Sequence, residues 1–232
     1  MVEIDPFIDN DKADGHSTKL RLLDHHKLDV DEPSDLTFAN GKLYTISDQH
    51  SKIYEIDGDG DTQKTIDITG NDLEALAYDE SRGQFVMADE SSSKLWYVDD
   101  DGDRHDAIEL DADDGNSGIE GLAFADNGHL FVAKEKDPAR IFELDADGKE
   151  LDRKKIDWAD DLSALAWNSE DGHLYALSDQ DHALFRLEKD LDVDHAWKLP
   201  IDKPEGIAFD GDTLYVVSDS EEKIYIFELD RD

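Results

Sequence analysis

The sequence contains no cysteine. That excludes disulfides, thiolate nucleophiles and Cys-ligated zinc or iron–sulfur centres, and it leaves the redox compartment open. Bases are scarce: 23 Lys plus Arg stand against 61 Asp plus Glu, for a formal net charge of -38 and a pI near 4.2. A surface of that sign repels polyanions, so nucleic-acid binding as a main activity and attraction to an anionic bilayer are both excluded. No apolar run approaches the roughly 18 residues of a membrane span, so no membrane insertion is expected. The first residues, Met1 to Phe7, lack the basic start and apolar stretch of a secretory signal. Metal cations and cationic partners remain open to such a chain.

What is present is a core and a great deal of aspartate. Apolar residues make up 38% of the chain, with four Trp, seven Tyr and nine Phe, which is enough to fold one domain. The acids divide into 44 Asp and 17 Glu. Asp-rich, Lys-poor surfaces suit low water activity, because carboxylates hold hydration and net charge keeps the chain soluble, so a halophilic source is expected. The alternative is an acidic surface with no salt adaptation behind it.

One phrase recurs five times: Pro33-Ser34-Asp35-Leu36-Thr37-Phe38, Leu73-Glu74-Ala75-Leu76-Ala77-Tyr78, Ile119-Glu120-Gly121-Leu122-Ala123-Phe124, Leu162-Ser163-Ala164-Leu165-Ala166-Trp167 and Pro204-Glu205-Gly206-Ile207-Ala208-Phe209. Its Ser or Glu anchors are spaced 40, 46, 43 and 42 residues apart. After each comes a polar turn such as Asn40-Gly41, then an apolar run, then a third run whose aromatic position holds Tyr54, Trp96, Phe142, Phe185 or Tyr225. A fourth, weaker run closes the middle repeats. Four short antiparallel strands per repeat predict an all-β fold, a five-bladed β-propeller. The last repeat lacks its fourth strand, and Lys19 to Leu28 is a strand-like segment with no repeat of its own. The N-terminal segment is therefore expected to complete the last blade and close the ring, which also removes a sheet edge. Residues 1–18 are expected to be a polar, mobile leader and residues 19–232 the single propeller domain.

The phrases around Glu120 and Glu205, with the stretch Leu130 to Glu143 that carries Ala133-Lys134-Glu135-Lys136 and Arg140-Ile141-Phe142-Glu143, resemble the SdiA-regulated family of bacterial β-propellers, which is similar in architecture to phytase-like propellers. The resemblance runs from about Lys19 to Leu229. It implies an extracytoplasmic life, since relatives usually carry an export signal or anchor, and it implies calcium at a propeller face. A mature chain that has lost its signal, or a cytoplasmic chain in a halophile, would each account for the N-terminus seen.

In a propeller blade the start of strand one and the end of strand two lie on one face. The anchors Ser34, Glu74, Glu120, Ser163 and Glu205 and the positions Asp48, Glu90, Glu135, Asp179 and Asp219 would then form two rings of oxygen donors at one channel mouth. Crowded carboxylates take up protons or bind a cation. Calcium accepts six to eight oxygen ligands in loose geometry, and without His or Cys in these rings softer metals are disfavoured. The alternative is a solvated rim, or pairing with Lys134, Lys136 and Arg140. Asp57-Gly58-Asp59-Gly60-Asp61 and Asp99-Asp100-Asp101-Gly102-Asp103 resemble the start of a calcium loop, but Ile68 and Leu110 stand where the bidentate Glu belongs, so both read as turns. His50 and His182 fall in loops on the ring face, where a general base beside a metal would sit, or else a polar loop. The repeated third-strand aromatics read as packing between blades.

Two functions emerge as expectations. One is a calcium-binding module, a monomeric propeller for a small-molecule or cell-envelope ligand at the channel mouth. The other is a calcium-dependent hydrolase, a phosphoesterase, esterase or lactonase using the same carboxylates. Lys134, Lys136, Arg140 and Lys203 are few bases with which to hold a phosphate.

Overall fold

The computed structural model describes residues 2–10, 18–47, 49–70, 73–89, 94–110 and 118–230. The N-terminal stretch supplies β1 (Val2–Ile4), β2 (Ile8–Asp9) and β3 (Lys19–Lys27). The first blade is then β4 (Pro33–Ala39), β5 (Lys42–Ser47), β6 (Lys52–Ile56) and β7 (Thr62–Asp67). The second is β8 (Leu73–Asp79), β9 (Gln84–Asp89), β10 (Lys94–Val98) and β11 (Arg104–Glu109). The third is β12 (Ile119–Phe124), β13 (Leu130–Lys134), β14 (Arg140–Leu144) and β15 (Glu150–Lys155). The fourth is β16 (Ala164–Asn168), β17 (His173–Ser178), β18 (Ala183–Leu187) and β19 (Val193–Lys198), and the fifth begins with β20 (Pro204–Asp210), β21 (Thr213–Ser218) and β22 (Lys223–Asp230). These form five antiparallel sheets, and the inner strands β4, β8, β12, β16 and β20 pack in a closed ring. The fold is a five-bladed β-propeller.

Local chemistry explains the hairpins. Asn40 and Gly41 take φ of 53° and 75°, the left-handed pair that a two-residue turn between Ala39 and Lys42 requires. The aspartate-rich segments between third and fourth strands are turns held by their own carboxylates. Asp57 Oδ1 accepts the amides of Asp59 and Asp61, Asp99 Oδ1 those of Asp101 and Asp103, and Asp145 Oδ1 those of Asp147 and Lys149. The first residue of each is thus used as a backbone acceptor.

The core is divided among the blade interfaces. Five separate apolar clusters fill the gaps between blades one and two, two and three, three and four, four and five, and five and one. Tyr54, Phe142, Phe185 and Tyr225 each lie buried in one of these clusters, and Trp96 packs against the remaining one. The third-strand aromatics are the wedges between blades. Gly121 and Gly206 permit close approach at the hub, since a Cβ on Gly121 would meet Leu165 N at 2.7 Å and one on Gly206 would meet Leu36 N at 2.6 Å.

Ring closure uses the N-terminal strand. β3 pairs with β22 from Lys19↔Asp230 to Lys27↔Lys223 and supplies the missing outer strand of blade five. In the described part of the leader, β1 adds beside β3, and β2 adds beside β19 of blade four. The cause is the pair of open sheet edges there. Phe7 N donates to Ala196 O, and the Phe7 ring meets Phe185 edge-on at 6.4 Å. His195, fully buried, has Nε2 3.1 Å from Asp9 and Nδ1 2.9 Å from Asp194, which is also bonded by Arg186.

Candidate functional site

The anchors of the repeated phrase stand on β-bulges. In blades one, two, three and five the first two strands fall out of register by one residue, between Pro33 and Asp35, Leu73 and Ala75, Ile119 and Gly121, and Pro204 and Gly206. The extra residue in each case is the anchor itself: Ser34, Glu74, Glu120 or Glu205. A bulge bends the strand and re-aims the side chain that it carries. In blade four, Ser163 precedes the ladder and its amide donates to Leu177 O. The strand-two ends meet the same face, because Pro33 pairs with Ser47 and Pro204 with Ser218, one residue short of Asp48 and Asp219.

The ten positions do not behave alike. Ser34 and Ser163 are buried and donate their hydroxyls to carbonyls of the next blade, Leu73 O at 2.5 Å and Pro204 O at 3.1 Å. They stitch blades together. Glu74, Glu120, Glu135, Asp179, Glu205 and Asp219 are half-buried, and Asp48 and Glu90 lie outside the described residues. Glu135 is bonded by Lys136. Asp219 is bonded by Lys203, whose Nζ also lies 3.7 Å from Glu205. Part of the rim is thus neutralised by lysine, one of the two readings that the sequence leaves open.

The electrostatics single out Glu205. Burial, first, and then the charges of Asp179, Asp219 and Glu74 push its carboxyl up to about 8, against the opposing pull of Lys203. Asp179 is also raised, by burial first and by Asp202 and Asp219, while His182 and Lys203 pull it down. Lys136 is held above its ordinary range by its hydrogen bond to Glu135, with Glu120 and Asp161 adding charge. Like-charged groups from blades two, four and five therefore act on one another across the mouth.

Sequence reasoning missed two members of this group. Asp35 is fully buried, its Oδ1 accepting from Leu36 N and its Oδ2 from Leu76 N of the next blade, both at 2.7 Å. Burial holds its carboxyl well above the usual range despite those bonds, and Glu74 and Glu205 add to the effect. A signal was available, since the other repeats hold only Ala75, Gly121, Ala164 or Gly206 there. Asp161, buried in the loop before blade four, accepts from Ser178 Oγ and Gln180 N, and burial raises it as well. No repeat phrase includes it, so nothing in the periodicity marks it.

The donor set is made of hard oxygens, which suits calcium chemistry. Among the described residues no group of three or more His, Asp or Glu is drawn together closely enough to hold one ion. His182 stands at the mouth, with Nδ1 2.9 Å from Ile201 O, and His50 Nε2 lies 3.9 Å from Asp31.

A sequence profile of the SdiA-regulated family matches residues 16–228. No curated protein matches the chain in sequence. Among solved structures, the glutaminyl cyclase of Myxococcus xanthus superposes with a TM-score of 0.71 at 12% identity, over 92% of this chain and 97% of that one. A gluconolactonase of Xanthomonas campestris gives 0.59 at 12% identity, over 97% and 95%. The virginiamycin B lyase of Staphylococcus aureus gives 0.56 at 16% identity, over 97% and 80%. At these identities the likeness is one of fold.

Proposed function

The chain belongs to the SdiA-regulated family, and on that premise we propose that it is a binding propeller whose bulge-borne carboxylates take a hard divalent cation of the calcium class at one channel mouth. The observation that carries this reading is the state of Glu205: half-buried, raised to about 8, and acted on by the charges of Asp179, Asp219 and Glu74. A cluster of this kind lowers its own energy by taking a proton or a cation. Calcium at the mouth would present a small-molecule or envelope ligand with a charge of opposite sign to the rest of the surface. The setting we propose is extracytoplasmic and salt-rich. Titration calorimetry of metal-stripped protein at moderate salt tests the reading. Heat with calcium that falls at least tenfold in affinity in Glu205→Gln is the expected result, and no heat from the wild type defeats it.

A second reading is supported by His182 beside Asp179 and by the kinship of fold with lyases and a gluconolactonase. In it the mouth carboxylates would hold a cation that would supply Lewis acidity to an ester or lactone carbonyl, and His182 would accept a proton from water. Phosphoesters fit less well, because Lys136 and Lys203 are already paired with Glu135 and Asp219. Turnover on an ester or lactone panel with calcium, abolished by His182→Gln and by Glu120→Gln, would favour the enzyme over the binding module.

A further inference from the structure

The opposite end of the channel is built from different residues. Each inner strand carries an aromatic residue at or next to its last position there, Phe38, Tyr78, Phe124, Trp167 or Phe209, and these five line a cavity of about 640 Å3 that reaches up to Leu36 and Ile207. Among the described residues, none of the carboxylates of the other mouth borders it. One side of the aromatic wall is fixed by blade packing. Tyr78 meets Phe85 edge-on at 5.0 Å, Trp167 stacks on Phe131 at 6.3 Å, and Phe209 tilts against Tyr175 at 4.6 Å. Three of the five rings are thus held in place by blade packing, so a guest that reaches them has little side-chain ordering to pay for.

Above this wall the rim is acidic. Glu80, Asp126, Glu170 and Asp210 are exposed at the ends of blades two, three, four and five, and among the described residues no Lys, Arg or His lines the cavity. Asp79 also borders it but is spent on its own turn, accepting from Ser81 and lying 3.4 Å from Arg82. Anions are repelled by such a mouth. A bare metal ion needs converging oxygens, and among the described residues no three of these carboxylates are drawn together. A neutral apolar guest would fit the wall and ignore the rim. An organic cation uses both, since π faces attract a weakly hydrated cation and carboxylates at a low-dielectric mouth focus the field on it. The volume lies within the range of small-molecule sites.

We propose that this mouth is a binding site for a small organic cation, a quaternary or protonated amine carried on an apolar body. The probe is benzyltrimethylammonium, titrated calorimetrically in about 0.15 M salt so that exposed charges are screened beyond roughly 8 Å, beside its neutral isostere neopentylbenzene and beside benzoate. The expected result is saturable binding of one benzyltrimethylammonium per chain, at least tenfold tighter than the neutral compound, with no uptake of benzoate. Trp167→Leu and the double variant Glu170→Gln/Asp210→Asn should each weaken it at least fivefold, while Glu188→Gln, in an outer turn, leaves it unchanged. The double variant alters only exposed side chains, so it remains informative if Trp167→Leu does not fold. Equal affinity for the neutral isostere, non-saturable uptake, or binding indifferent to the double variant overturns the proposal.

Discussion

Glu205 occupies a place where burial and like charge act in the same direction. Its folded carboxyl keeps a proton up to about pH 8, whereas the ordinary value, which an unfolded chain approaches, is 4.5. Between those values folding takes up a proton, so stability falls as pH rises from about 4.5 to about 8, with a slope of at most about 1.4 kcal/mol per pH unit. In chelator-treated protein, urea midpoints measured across that window should decline, and Glu205→Gln should flatten the decline. An unchanged slope in the variant would mean that Glu205 is not the proton acceptor. A second residue tests the hub. At Gly121 an added methyl meets backbone atoms of Leu165 and Ala164 at 2.7 and 2.8 Å, which cannot swing aside as a flexible side chain would. Gly121→Ala should cost about 1–3 kcal/mol by overpacking, readable as a lower midpoint at unchanged slope. At this scale the sequence is informative where a repeat position breaks its own rule. Asp35 does so in a slot otherwise filled by Ala or Gly, whereas Asp161 belongs to no repeat and becomes visible only through burial.

The elements divide according to what they need in order to form. Four-stranded repeats are legible because each strand carries its own alternation and each turn its own Gly or Asp. β3 is legible because blade five lacks an outer partner, and eight pairs from Lys19 to Lys27 against β22 fill that place. β1 and β2 are three and two residues long and have no pattern of their own. They exist because the outer strands β3 and β19 leave open edges for them to dock on. Two truncations separate these roles. Removing residues 1–10 takes away β1, β2, the Phe7 contact and the Asp9–His195 pair, and should lower stability by about 1–3 kcal/mol while leaving the propeller folded. Removing residues 1–28 also strips β22 of its partner and deletes the buried Leu20 and Leu28. That chain should lose its cooperative melt and aggregate through the opened edge. A peptide of residues 17–30 added to it should restore the transition, and an unaltered melt for the longer truncation would show that β3 is not what closes the ring.

Over the whole molecule, a net charge of -38 is distributed around a ring that has no deep core to absorb strain, only five interfaces. Much of the aspartate lies in turns, where Asp57, Asp99 and Asp145 serve the backbone and still contribute charge at the surface. Few cations answer it. Self-repulsion of that size acts through solvent and is therefore screened by salt, since the Debye length shrinks from about 30 Å at 0.01 M to about 3 Å at 1 M. The melting temperature should accordingly rise steeply between 0.01 M and 1 M KCl. The response above 1 M separates general screening from adaptation to brine. Screening is nearly complete by then, so a further rise of several degrees towards 3 M KCl requires salt and water to be organised by the carboxylate surface, as a halophilic chain needs. A plateau above 1 M would leave an acidic surface without that adaptation. Potassium is the right cation for this measurement, because calcium, the ion we propose for the mouth around Glu205, would mix site binding with screening.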